Sequence, residues 1–423
     1  MKLRLWLSTC SSASTATAPT LPKTPFSDTA SSSCSDILTH SSISSATSLQ
    51  SNLSLLTLPS VPSLEKLCLS PDNSAPSAAA RFLFSLQPSR AYINFLILHN
   101  NLLYTASGNE INVFEIIDNT LVDTFNGEKN SSGSVKSIAF SNGKVFTAHQ
   151  DCKIRVWKMN MYKQHKLIAI LPTLEDRLRN FILPQNYLKV RRHKKCLWIE
   201  HHDAVSGLAE NENRVLSISW DKSLKIWQPH SFRCLESINK AHDDAINAVA
   251  VSNEGLIYTG SADKRIKVWG KATGEKKHGL IATLEKHKSA VNALALSLDG
   301  SVLFSGSCDR SILVWEREDS ANHMAVTGAL RGHRKAILSL MNVQDLLLSG
   351  SADRTVRIWR QGYDGKYCCL TVLEGHQTPV RSLSAVAVTP PAGGGGEGAV
   401  KVFSGSFDGE IKVWQVEVSN VNS

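Results

Sequence analysis

The stretch GHRKAILSLMNVQDLLLSGSADRTVRIW, Gly332–Trp359, decides the fold. A histidine opens it. Two alternating apolar segments follow, ILSLMNV and LLLSGS, joined by the polar Gln344 and Asp345. That is strand–turn–strand chemistry. A second polar turn around Asp353 leads into VRIW, a third strand. The unit is a small antiparallel sheet, and it recurs. Asp, two residues, aliphatic, one residue, aliphatic, Trp ends at Trp157, Trp227, Trp269, Trp315, Trp359 and Trp414, and a weaker copy, TASGNEINVF, ends at Phe114. The turn aspartates are Asp151, Asp221, Asp263, Asp309, Asp353 and Asp408. Upstream, His201, His242, His287, His333 and His376 open EHHDAV, AHDDAI, KHKSAV, GHRKAI and GHQTPV. The first two copies lack this histidine and carry Ser89 and Ser131 there.

The intervals between the seven terminal aromatic positions are 43, 70, 42, 46, 44 and 55 residues. The base period of ~40–45 residues is that of a propeller blade. On these motifs residues 80–418 resemble the WD-repeat family, which implies an all-β ring of four-stranded blades, here seven. The resemblance implies a network joining His, Asp, a Ser or Thr, and Trp; in the sixth copy these are His333, Asp353, Ser349 or Ser351, and Trp359. A catalytic His–Asp–Ser reading fails, because five near-identical copies cannot all be one active site. Nine residues follow Trp414, too few for the rest of that strand and an outer strand. The N-terminal stretch 80–88, containing RFLFSLQ, is therefore expected to close the ring and remove an open sheet edge.

Outside the repeats, residues 1–79 are Ser-, Thr-, Ala- and Pro-rich with few charges. Such a stretch cannot offset its ordering entropy by burial, so a disordered tail is expected. It reads either as a transit peptide or as a phosphorylated linker with Thr24-Pro25 and Ser70-Pro71. The Gly-rich segment 389–400 is expected to be a loop of the last blade. An insertion after the second blade, 172–198, is expected to hold one short helix over Leu174–Leu183, ended near Pro184. It also carries KVRRHKK, where Lys189, Arg191, Arg192, Lys194 and Lys195 form an import signal, an anion-binding patch or a solvated basic loop.

Composition excludes several classes. The chain has 423 residues, 42% of them hydrophobic, which is too apolar for a wholly disordered protein. No window reaches the ~18–20 unbroken apolar residues of a spanning helix, so no membrane partner is expected. A net charge of +9 permits an acidic partner without requiring one. The nine cysteines are odd in number and lack metal-ligand spacing, which fits a reducing compartment. No phosphate loop, metal set or nucleophile constellation stands outside the repeats, so neither enzymatic activity nor a cofactor is expected.

The insertion, with SWDKSLKIW and YTGSADKRIKVW around it, is similar to plant WD-repeat proteins of the JINGUBANG type. That resemblance implies a monomeric scaffold in the cytoplasm and nucleus of a plant cell. Such a scaffold binds other proteins, a transcription factor among them, in developmental control such as pollen germination. Two alternatives stand beside it. One is a ubiquitin-ligase substrate receptor, although no blade Trp here is followed by Asp-x-Arg. The other is a nucleic-acid-associated adaptor acting through the basic insertion, with direct contact disfavoured because aromatic interleaving is missing. Family positions lining the narrower face map to Tyr92, Asn94, Lys136, Trp220, Arg381 and Phe407. Of these, Phe407, Arg381, Tyr92, Asn94 and Lys136 are expected to form an aromatic–basic patch suited to an acidic, aromatic-bearing peptide, with Trp220 a separate exposed aromatic.

Overall fold

In the computed structural model the described residues are 78–418, apart from 89–90, 128–131, 192–193, 212, 273, 318–323, 363–364 and 389–398. The tail through residue 77, Ser89, Ser131, Arg192 and most of the Gly-rich segment thus lie outside the described residues. Seven four-stranded antiparallel sheets form a seven-bladed β-propeller, and a two-stranded sheet belongs to the insertion. Among the described residues, no helix is long and apolar enough to cross a membrane.

Blade 6 shows the plan. Its strands run Ile337–Val343, Leu346–Ser351, Val356–Gln361 and Tyr367–Leu373, each paired with the next. The second strand is buried at every residue, because it has strands on both sides and blades on both faces. A register shift between Ile358 and Trp359 marks a bulge at the tryptophan. The same shift precedes Trp157, Trp227, Trp269 and Trp315.

The core sits between blades. Phe304, Ile312 and Val314 of blade 5 pack with Ile337, Leu347 and Trp359 of blade 6. The glycine of the SGS motif permits this approach. A Cβ on Gly260 would stand 2.7 Å from Val291 Cγ1 of the next blade, and one on Gly405 would stand 2.6 Å from Ile93 Cγ2. The latter contact joins blade 7 to blade 1.

Blade 7 takes its outer strand from the other end of the chain. Ala78–Leu86 pairs antiparallel with Ile411–Val418, from Ala78 opposite Val418 to Leu86 opposite Ile411. Phe82 meets the Trp414 ring edge-on at 5.3 Å. This strand begins two residues before the expected 80–88, because Val418 supplies a ladder partner for Ala78. Across the seam, the amides of Leu96 and Leu98 donate to the Ser382 and Ser384 hydroxyls at 2.8 and 3.1 Å. Ala399 and Val400, expected in the Gly-rich loop, are already strand, and Val400 is in the core.

The insertion adds a helix, Leu174–Phe181, a 3-10 turn, Pro184–Asn186, and a hairpin of Tyr187–Arg191 with Lys194–Leu197. Thr173 caps the helix by accepting from the Asp176 amide. The helix stops two residues before the expected Leu183, as the chain turns extended there to enter the proline turn.

Candidate functional site

In blades 3 to 7 the loop leading into the first strand carries the histidine, and the loop joining the second and third strands carries the aspartate. In blade 6 the proton chain is complete. The Trp359 indole N–H donates to Ser349 Oγ at 2.8 Å, and Ser349 Oγ lies 2.8 Å from His333 Nε2. His333 Nδ1 lies 2.9 Å from Asp353 Oδ2. A neutral imidazole protonated on Nδ1 satisfies every atom of that chain. Asp353 also accepts from the Arg334 and Thr355 amides and the Thr355 hydroxyl, at 2.8, 3.1 and 2.7 Å. Burial alone would raise its pKa, but the His333 bond and these donors hold it well below the usual carboxylate range. Ser349, not Ser351, is the network hydroxyl, for Ser351 donates to the Lys335 and Ala336 carbonyls.

Blades 3, 4 and 5 repeat this with His201–Asp221, His242–Asp263 and His287–Asp309, and with Ser217, Thr259 and Ser305 receiving the indole N–H. The ends of the series depart from it, and two aspartates need correction. Asp151 has no preceding histidine to hold and takes Arg155 in a bidentate pair instead. His149, from the strand itself, fills the space beside Thr147, and Thr147 receives the Trp157 N–H. Asp408 accepts from Ser406, not from His376. His376 keeps Ser404 at 2.8 Å, but its buried Nδ1 has no partner. The physical reason is the charge of Glu410. It stands where blades 3, 5 and 6 have Ser223, Ser311 and Thr355 donating to their aspartates; blade 4 keeps its His242–Asp263 contact with Arg265 there, but Glu410 puts a second carboxylate beside Asp408.

Two pairs among the lining residues are in ring contact. Tyr92 and Phe407 meet across the blade 1–blade 7 seam, ring centroids 6.2 Å apart, both half-buried. Lys136 and Trp220 form a second pair, the ammonium 5.6 Å from the ring centroid. Asn94 is buried, its amide nearest the Gly108 carbonyl at 3.4 Å, and Arg381 donates to the Leu338 carbonyl at 3.2 Å. Both side chains thus bond to backbone carbonyls of the ring. Burial, then the Arg381 charge, brings the Lys136 pKa down to about 8; burial brings Arg381 down to about 10. These positions therefore hold two aromatic contacts, Tyr92 with Phe407 and Trp220 with Lys136, and two desolvated cations, Lys136 and Arg381.

Of the basic cluster, Lys189 and Lys195 are exposed and face each other across the hairpin, and Arg191 pairs in register with Lys194. The helix beside them carries an exposed apolar face that charge reading overlooked. Its signal was present as Leu174, Leu178, Phe181 and Ile182, a spacing of four, three and one.

Comparison with known proteins places these features in context. The family described as "WD domain, G-beta repeat" matches residues 119–158, 194–228, 232–270, 279–316, 325–360 and 367–415. Protein Notchless of Drosophila melanogaster is 36% identical over 26% of this chain and 20% of its own length. Autophagy-related protein 16 of Arabidopsis thaliana is 22% identical, covering 44% of this chain and 38% of the relative. Pre-rRNA-processing protein IPI3 of Yarrowia lipolytica is 26% identical over 40% of this chain and 39% of its own length. The chain thus spans less than two-fifths of each relative.

Proposed function

We propose a function on one premise: this chain belongs to the WD domain, G-beta repeat family. Its work is to dock other proteins on the narrower face of the ring without catalysing a reaction. The observation that carries this reading is the repetition of His–Asp–Ser/Thr chemistry in four blades, every member tied to an indole and to loop amides. Groups committed in this way position loops. What those loops offer outward is Tyr92 with Phe407, and Trp220 with Lys136. Aromatic side chains backed by buried cations suit a peptide bearing an aromatic residue and a carboxylate. The resemblance to JINGUBANG-type proteins supports a plant regulatory complex in nucleus and cytoplasm, with a transcription factor as partner.

The test is affinity recovery from plant cells, with quantified partners, using wild type beside a Trp220→Ala/Phe407→Ala double variant. Both side chains are half-buried at the rim, so melting should shift by no more than a few degrees. Partner recovery should fall at least tenfold. Undiminished recovery of the same partners would remove the narrower face from the function.

A further inference from the structure

The insertion turns its apolar half away from the ring. Leu174, Leu178, Phe181 and Ile182 are 73, 60, 64 and 79% exposed, and their spacing puts them on one helix face. The opposite half is anchored throughout. Asp176 is buried and accepts from the Cys234 amide at 3.1 Å; Arg177 pairs with Glu200 at 3.2 Å. The Trp198 indole donates to Asn180 Oδ1 at 2.9 Å. The helix is therefore held at a fixed angle on blade 3, with its greasy side displayed.

The hairpin continues that surface. Tyr187 donates to the Phe181 carbonyl, and their rings meet edge-on at 6.4 Å. Tyr187 and Lys189 lie two residues apart on one strand and so share a face. Lys195 stands directly opposite Lys189. Like charges facing each other across a ladder are destabilising. Among the described residues neither ammonium has an ion pair, whereas the exposed helix charges are matched, Glu175 by Arg179 and Arg177 by Glu200. Residues 189–195 carry five Lys or Arg and no Asp or Glu.

We infer that the surface running from Leu174 through Phe181 and Tyr187 to Lys189 and Lys195 is a second docking site, for an acidic amphipathic segment of a partner protein. Apolar side chains of that segment seat on Leu178, Phe181 and Ile182, and its carboxylates lie over the facing lysines. Charge complementarity selects this occupant. The rigid anchoring favours a shaped protein partner over a bilayer, because a helix fixed by its polar half to a blade cannot roll into a membrane interface. This site is independent of the narrower face.

The experiment pans a phage-displayed random 16-residue library on the full chain. Binders to a Leu178→Ser/Phe181→Ser variant are first depleted. The substituted side chains are exposed, so the variant should melt as wild type does. Enriched peptides should be net acidic with apolar residues at i, i+3 or i+4, and i+7. Synthetic copies should lose at least tenfold in affinity for the Leu178→Ser/Phe181→Ser variant and, separately, for Lys189→Glu/Lys195→Glu. Failure to enrich, or enrichment of neutral or basic peptides, would overturn the proposal. So would co-sedimentation with 3:1 phosphatidylcholine–phosphatidylserine vesicles that both double variants abolish. A self-association removed by Leu178→Ser/Phe181→Ser would also overturn it, by making a second copy the occupant.

Discussion

Blades 6 and 7 are near copies in sequence, SGSADRTVRIW against SGSFDGEIKVW, each preceded by GH. They differ in two physical respects. Blade 6 owns all four of its strands and a closed His–Asp–Ser–Trp chain. Blade 7 borrows its outer strand from residues 78–86 and leaves His376 Nδ1 without a partner. The comparison teaches that the repeat motif sets the sheet, while the network can be broken where another element holds the blade. In blade 7 that element is the borrowed strand, with Phe82 on Trp414 and Leu83, Phe84 and Leu86 on the seam core.

Removing the borrowed strand should therefore have the largest effect. Deleting residues 78–86 exposes the whole edge of Ile411–Val418, uncovers the seam core and reopens the ring. The expected outcome is aggregation and loss of a cooperative melting transition by circular dichroism. A soluble ring with unchanged melting would show that blade 7 does not depend on its fourth strand.

The histidines come next. His333→Ala leaves Asp353 and Ser349 each short of a partner in a buried site, at ~1–3 kcal/mol apiece. A loss of about 3 kcal/mol in denaturant unfolding is expected. His376→Ala breaks only the Ser404 bond and also removes an orphaned nitrogen, so it should cost about 1 kcal/mol. Equal losses would mean that the blade 7 network is closed in solution.

Acid should separate the blades further. Burial lowers the His376 pKa to about 4, against the opposing fields of Asp408 and Glu410. Between pH 6.5 and 4 the unfolded chain binds a proton there that the folded site refuses. Stability is thus complete above pH 6.5 and falls as pH drops toward 4. His149, lowered to about 3 by burial and then by the Arg155 charge, acts in the same sense. His376→Gln should flatten the fall in midpoint denaturant concentration across that window, and an unchanged slope would contradict the lowered pKa.

Most of the ring was legible because its cause is local and repeated. Each polar turn and each Trp strand answers to a neighbour at nearly fixed spacing, so seven copies could be counted, and the family resemblance turned them into seven blades. The borrowed strand was legible from the position and apolar pattern of RFLFSLQ ahead of the first blade. The state of Asp408 was not, because it turns on a second carboxylate two residues later, and Glu410 looked like an ordinary surface charge. Nor was the inward turn of Asn94 and Arg381, since a motif position specifies a loop and not the depth of a side chain. The exposed face of Leu174, Leu178, Phe181 and Ile182 was hidden for the opposite reason. Apolar residues at helical spacing normally read as core, and only the packing shows that Asp176, Arg177 and Asn180 face the ring instead.

The smallest effect is also the sharpest discriminator. Glu410→Thr puts into blade 7 the hydroxyl that blade 6 has at Thr355. The hydroxyl can donate to Asp408 as Thr355 donates to Asp353, and the like charge beside Asp408 disappears. Against this, Lys412 loses its 2.8 Å partner at Glu410. The two changes oppose each other, so the net stability change should stay within about 1 kcal/mol. The imidazole reports the rearrangement more directly. Once Asp408 swings onto Nδ1, a neighbouring carboxylate favours the charged ring, and the His376 pKa should rise from about 4 in an NMR titration. On that background His376→Ala should cost more than it does alone, because it now takes a partner from Asp408 as well as from the buried Ser404. If the double substitution remains as mild as His376→Ala alone, Glu410 is not what keeps the two blades apart.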